Sequence, residues 1–152
     1  PQTEQLLVTS GHIDMMGHIN VAHYSTLFGQ ASRRFTSLGG ITPEYINRER
    51  KGAFMLRNFA QFIAEAHTGD ELRIYSRAVA RSEKRVQYMH FMINETHDQL
   101  AATMEVLSTH ADLTARKSAP FPALIADKFD AFIAAHDQVD WTDAPLCGLL
   151  SP

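Results

Sequence analysis

Cysteine is almost absent from this chain: the single thiol among 152 residues, Cys147, has no partner for an internal disulfide, which fits a reducing compartment. Long apolar runs are missing as well. Nothing approaches the roughly 20 consecutive apolar residues of a membrane-crossing helix, and the first residues lack the charged-then-apolar order of a secretory leader, so no membrane partner is expected and the expected location is cytoplasmic. Basic runs are also lacking. With a formal net charge of −3, the chain has no general electrostatic reason to hold nucleic acid. Of the eight histidines, His12, His18 and His23 stand at spacings without a metal-binding signature, so no metal is expected. His90 and His110 fall in strand-like stretches, where packing is the simpler role. There is no internal repeat and no low-complexity segment.

What remains, 45% hydrophobic and 20% charged residues, is the composition of one globular domain able to bury its own core. That domain is expected over residues 1–136, followed by a tail, 137–152, whose Trp141, Pro145 and Cys147 show no clear period. The strongest pattern is Val21, Tyr24, Phe28, Ala31, Phe35 and Leu38, spaced by three and four and so on one face of a helix. Gln30, Ser32, Arg33 and Thr36 are expected on its other side. Asn20 can cap the first turn through its side-chain oxygen, and Gly39-Gly40 can end the last turn in a left-handed conformation. Asp14 should therefore lie close to the positive end of a helix of roughly five turns.

A short strand is expected before this helix, from Glu4 to Ser10. After it, Thr42 and Pro43 open a short helical segment through about Asn47. Phe54 to Ala66 has apolar residues at spacings that suit a helix or a strand. The strand is preferred, with a bulge as an option, because a meander follows. Leu72, Ile74, Ser76 and Ala78 alternate with Arg73, Tyr75, Arg77 and Val79. Val86 to Ile93 and Leu100 to Leu113 follow across polar turns, although Ala and Met in the second would also suit a helix. Ile125, Phe129, Phe132 and Ile133 mark a closing helix that ends near His136. A strand, a long helix, four strands and a closing helix imply an α+β architecture, a curved antiparallel sheet of about five strands around one central helix.

The spacing Asp14-x-x-Gly17-His18-x-Asn20-x-x-x-Tyr24, directly ahead of the long helix, resembles the signature of hot-dog-fold acyl-CoA thioesterases of the 4-hydroxybenzoyl-CoA thioesterase-like family. Thr68-Gly69-Asp70 is similar to the Gly-Asp turn before a central strand in those enzymes, and Arg116 to Pro122 to the exit of their last strand. Three positions depart from the pattern. Val21 replaces a frequent asparagine, Gln61 a frequent glutamate, and Glu65 stands where several members have proline.

Hydrolysis of a thioester needs a base or nucleophile beside the acyl carbon and donors aimed at the developing oxyanion. The resemblance implies Asp14 for the first role, as attacking nucleophile or as base toward water. Helix N-terminal amides near Asn20 and Val21 are candidates for the second. His18 and Asn20 would orient the loop or a water, and Gly17, Tyr24, Phe59 and Gln61 are candidate substrate-binding residues. Phe54, Met55 and Phe62 are candidate pocket or interface residues. No cofactor is implied beyond the coenzyme A of the substrate. The acyl group is left open, and so is an acyl-carrier protein as the alternative carrier. A binding domain without catalysis is the non-enzymatic alternative. The resemblance also implies a homodimer or a dimer of dimers, which an open sheet edge would favour.

Overall fold

Asn20 accepts the Ala22 N–H on its side-chain oxygen at 2.9 Å, so the long helix begins where the cap residue stands. In the computed structural model, which describes residues 1–139, this helix, α1, runs Val21–Leu38. Its end is set by Gly40 at φ 104°. There the Gly40 N–H bonds Ser37 O and the Ile41 N–H bonds Thr36 O, at 2.9 and 3.0 Å, a Schellman closure. Gly39 has a separate role, since a Cβ there would fall on the Phe129 ring.

The other elements are β1 (Gln2–Leu7), α2 (Pro43–Glu49), β2 (Lys51–Phe62), β3 (Glu71–Arg81), β4 (Arg85–Asn94), β5 (Gln99–Asp112), β6 (Lys117–Ser118) and α3 (Ala123–His136). The strands form one antiparallel sheet in the order β1-β3-β4-β5-β2, with β6 on β5. This is the expected α+β element order with a two-residue strand added. Among the described residues no helix is long and apolar enough to cross a membrane. Trp141, Pro145 and Cys147 lie outside the described residues.

Several boundaries differ from the sequence pattern, each for a tertiary reason. Strand β1 begins at Gln2 and stops at Leu7, because the Val8 N–H turns to Asp70 O at 2.8 Å and Ser10–His12 coil into a 3-10 turn. Strand β2 starts at Lys51 and stops at Phe62 instead of reaching Ala66. Just beyond it the N–H groups of Ile63 and Ala64 share one acceptor, Ala101 O, at 2.9 and 3.0 Å. Two residues facing one is the geometry of a bulge. Val21 and Leu38 complete the apolar stripe in sequence, yet they are 57% and 47% exposed at the two ends of α1. Ser32 and Thr36 are buried rather than outward-facing. Ser32 stands one turn beyond Phe28 and so shares its face.

Over the described residues the chain packs as two compact units, the first from residues 1–34, 60–76 and 90–104, the second from 35–59, 77–89 and 105–139. Apolar burial, worth about 25 cal/mol per Å², centres in the first on Ile19, Phe28, Leu72, Ile74 and Met92. Phe28 stacks on the fully buried His90, whose ring nitrogens meet Ser32 Oγ at 2.9 Å and Ser76 Oγ at 2.6 Å. Burial lowers the His90 pKa to about 3, so the ring is neutral and polar rather than charged. In the second unit Phe35 meets Tyr88, Phe129 and Phe132, and Phe121 joins Phe129. His110 is also buried there, between Tyr45 Oη at 2.9 Å and Ala119 O at 3.1 Å. Both strand histidines are therefore packed and hydrogen-bonded. In β3 the alternation holds: Leu72, Ile74, Ser76 and Ala78 are each at most 1% exposed.

Candidate active site

Residues 12–20 fold back on themselves before the helix starts. The Asn20 N–H bonds His12 O at 2.9 Å, Ile13 and Ile19 form a β-bridge, and the Asp14 N–H bonds His18 O at 3.0 Å. The turn closes as the Gly17 N–H reaches Asp14 O at 3.1 Å, with Gly17 at φ 88°, which explains a glycine there. Asp14 Oδ1 accepts the Met16 N–H at 2.8 Å, an Asx turn. The other oxygen, Oδ2, lies 3.9 Å from His18 Nδ1, beyond hydrogen-bond reach but within ion-pair range. Ile19, 2% exposed, anchors the loop by donating its N–H to Ala66 O at 3.0 Å.

The amides at the helix start are not equivalent. Asn20 has used its own N–H on His12 O, its side chain takes the Ala22 N–H, and its carbonyl takes the His23 N–H at 2.9 Å. Among the described residues the Val21 N–H has no hydrogen-bond acceptor. The expected pair of donors therefore reduces to one, because the folded-back loop claims the Asn20 amide.

A cavity of about 410 Å³ opens on this helix start. Asp14, His18 and Asn20 line it from the loop, Val21 and Tyr24 from α1, and Phe62 to Glu65 from the bulge after β2. The rings of Tyr24 and Phe62 meet edge to face, centroids 5.1 Å apart at 70°. Tyr24 is 6% exposed. Burial, and then the charge of Glu65, push its hydroxyl pKa above the usual phenol range. Of the residues proposed from sequence, Asp14, His18, Asn20, Val21 and Tyr24 are thus brought together, and Phe62 joins them. Gly17 shapes the turn and does not line the cavity. Gln61 is exposed, 3.5 Å from Thr103 Oγ1, and Phe59 is 37% exposed; neither lines the cavity. The wall formed by Ile63, Ala64 and Glu65 was not anticipated. Glu65 was conspicuous in sequence only as a departure from a frequent proline. Among the described residues no group of three or more His, Cys, Asp or Glu side chains is arranged to hold a metal ion.

Known proteins share this fold. A Staphylococcus aureus protein solved in complex with CoA superposes with a TM-score of 0.86 at 21% identity, covering 94% of this chain and 90% of that one. A 1,4-dihydroxy-2-naphthoyl-CoA thioesterase from Synechocystis gives a TM-score of 0.71 at 19% identity, covering 90% of this chain and 97% of its own. These likenesses establish the hot-dog fold. A curated relative, the L-carnitine dehydrogenase/betainyl-CoA thioesterase of a Rhizobium species, is 24% identical over 136 residues, 90% of this chain. The chain spans only 27% of that relative's length. The sequence profile of the thioesterase-like superfamily matches residues 8–129, from the end of β1 through the strand meander into α3, and the chain therefore belongs to the thioesterase-like superfamily.

Proposed function

We propose that the chain hydrolyses acyl-CoA thioesters to a carboxylic acid and free coenzyme A, with Asp14 as the reacting carboxylate and the Val21 N–H as oxyanion donor. One observation carries this reading: the same cavity is lined by a carboxylate with one oxygen not hydrogen-bonded and by the helix residue whose first-turn amide is unpaired. Asp14 Oδ2 takes a proton from water as the water oxygen attacks the acyl carbon. The carbonyl oxygen becomes an oxyanion facing the Val21 N–H. As the C–S bond breaks, the thiolate of coenzyme A leaves and the proton held by Asp14 returns to sulfur. In the nucleophilic variant Asp14 itself attacks and water then opens the mixed anhydride. Label found in Asp14 after a single turnover in ¹⁸O-water, from attack of water on the Asp14 carbonyl of the anhydride, identifies the nucleophilic variant. His18 orients the loop beside Asp14, and Asn20 holds the helix start. The reaction so written uses only protein groups and water. The CoA named in the relatives supports that carrier over a carrier protein; offering one acyl group on both carriers tests the choice.

The exposed apolar residues of the edge strand β2, Phe54, Met55, Leu56, Phe59 and Phe62, support assembly as a homodimer or dimer of dimers, since an open apolar edge gains from being paired. The deciding experiment for the activity is Asp14→Asn. A positioned general base contributes about 10²–10⁴-fold, so kcat should fall by that order while thermal unfolding stays close to wild type. Full turnover in both Asp14→Asn and Asp14→Ala would reject Asp14 as the reacting group.

A further inference from the structure

We infer that Asp70 is a positioning residue for the candidate site: its carboxylate fixes the peptide plane between Ala66 and His67, and through that plane the place of the Asp14 loop at the cavity. What the placement serves rests on the thioesterase reading above; Asp70 itself does not line the cavity. One peptide unit is held at both ends. Its N–H, that of His67, donates to Asp70 Oδ2 at 2.9 Å. Its carbonyl, Ala66 O, accepts the Ile19 N–H at 3.0 Å. A peptide unit is planar, so the bond to the carboxylate also sets where the carbonyl points. Ile19 follows His18, whose own carbonyl holds the Asp14 N–H at 3.0 Å. The far end of the same segment meets the same turn, since the Val8 N–H bonds Asp70 O at 2.8 Å and the Gly69 N–H bonds Val8 O at 2.9 Å. Residues 66–70 thus grip segment 8–19 at both ends, while residues 62–65, directly before them, form the opposite wall of the cavity.

The backbone of this turn does little to hold that plane by itself. Its own closure is one bond, from the Asp70 N–H to His67 O at 3.1 Å, and it contains Gly69 at φ 96°, the residue type freest to change conformation. The carboxylate, by contrast, is fixed from three directions. Besides the His67 N–H, Asn94 Nδ2 donates to Oδ2 at 2.7 Å and His97 Nε2 lies 3.1 Å from Oδ1. Asp70 and Asn94 are both buried. Hydrogen bonds to a carboxylate are stronger than those to a neutral acceptor. Such a bond at the N–H also polarises the peptide, so Ala66 O becomes a better acceptor for Ile19. Distance from the chemistry does not make the effect small, because a misplacement of about 1 Å can cost about 10²-fold in rate.

Amide hydrogen exchange and turnover, measured side by side, test this. The variants are Asp70→Ala, Asp70→Asn and, as a control destabilised through Phe129 and away from the loop, Gly39→Ala. In Asp70→Ala the Ile19 and Asp14 amides should exchange at least about tenfold faster, while the bonded amides of Leu113 and Phe121 stay close to wild type. Its kcat should fall by about 10- to 100-fold, with KM moving much less. Asp70→Asn keeps an oxygen for the His67 N–H and should keep the protection and most of the turnover. Gly39→Ala should leave the kcat of the folded protein near wild type. Unchanged exchange at Ile19 and Asp14 in folded Asp70→Ala overturns the inference, as does an equal loss of kcat in Gly39→Ala. If Asp70→Ala does not fold, Asn94→Ala removes one donor from Oδ2, leaves Asp70 in place and is read in the same way: faster exchange confined to Ile19 and Asp14 is expected, and unchanged exchange there overturns the inference. Exchange needs no substrate, so the two readings fail separately. Loosened loop amides in Asp70→Ala, with no hydrolysis of any acyl-CoA by wild type, keep the placement and reject the thioesterase reading. Wild-type turnover that Asp70→Ala retains in full does the reverse.

Discussion

Replacing Val21 by proline deletes one hydrogen-bond donor and little else. Val21 is the first residue of α1, where an N–H has no partner within the helix and where proline's fixed φ is already the helical value. The residue before a proline must be extended, as a cap residue ordinarily is, so Asn20 can keep its bond to the Ala22 N–H. The side chain is 57% exposed, so stability should change by no more than about 0.5 kcal/mol. Catalysis should respond quite differently. The Asn20, Ala22 and His23 amides are committed to His12 O, Asn20 Oδ1 and Asn20 O, so no neighbouring amide can take over. Loss of a single oxyanion donor costs about 2.7–4 kcal/mol, or about 10²–10³ in kcat. Because Val21 also lines the cavity, Val21→Ala is the control for lost side-chain contact. The assay is thiol release under saturating acyl-CoA, with thermal unfolding run in parallel. If Val21→Pro is folded and turns over as fast as Val21→Ala, the assignment of this amide fails.

Two glycines should respond in opposite directions to alanine. Gly29 lies within α1 with nothing near a new Cβ, so Gly29→Ala should stabilise by about 0.5–1 kcal/mol. At Gly39 the new Cβ would meet the Phe129 ring, and such overpacking should cost about 1–3 kcal/mol; denaturant midpoints compare the two directly. Asp70 supplies a pH dependence. Burial alone pushes its carboxyl up, but hydrogen bonds from the His67 N–H, Asn94 and His97 outweigh that and hold it below the ordinary 3.8. A depressed folded pKa means the stabilisation is fully present above the unfolded value and is lost as pH falls through the folded one. Stability of the wild type should therefore drop more steeply below about pH 4 than that of Asp70→Asn. Parallel slopes would remove Asp70 from the acid-labile set.

The parts of this structure legible in sequence are those set by neighbours in the chain. Asn20 as cap, Gly40 as left-handed terminator, Thr42 ahead of Pro43 and the alternation of β3 each follow from local backbone chemistry, and each is found where expected. What could not be read depends on partners distant in sequence. That Ser32 is buried follows from His90, 58 residues away. That β2 ends at Phe62 follows from Ala101 accepting two amides. Glu65 enters the cavity wall because of that bulge, and no periodicity of residues 54–66 reveals it. The loss of the Asn20 amide as a donor likewise needs the folded-back loop. Asp14 was a candidate because the motif ahead of the helix resembles that of the thioesterases, whereas Gln61 and Phe59 lay on a strand whose facing could not be read.

The cross-bonded loop from His12 to Asn20 also constrains how such a site can change over evolutionary time. Its rungs join positions 12 with 20, 13 with 19 and 14 with 18, so the carboxylate and the donor amide are held in step by counted residues. Met15 and Met16, 102% and 79% exposed, can be exchanged freely. A one-residue insertion between Asp14 and His18, by contrast, would shift every rung and move the carboxylate relative to the helix. Length is therefore frozen while composition at the tip is free. In the opposite wall, the four residues from Phe62 to Glu65, side chains can be replaced without touching that spacing.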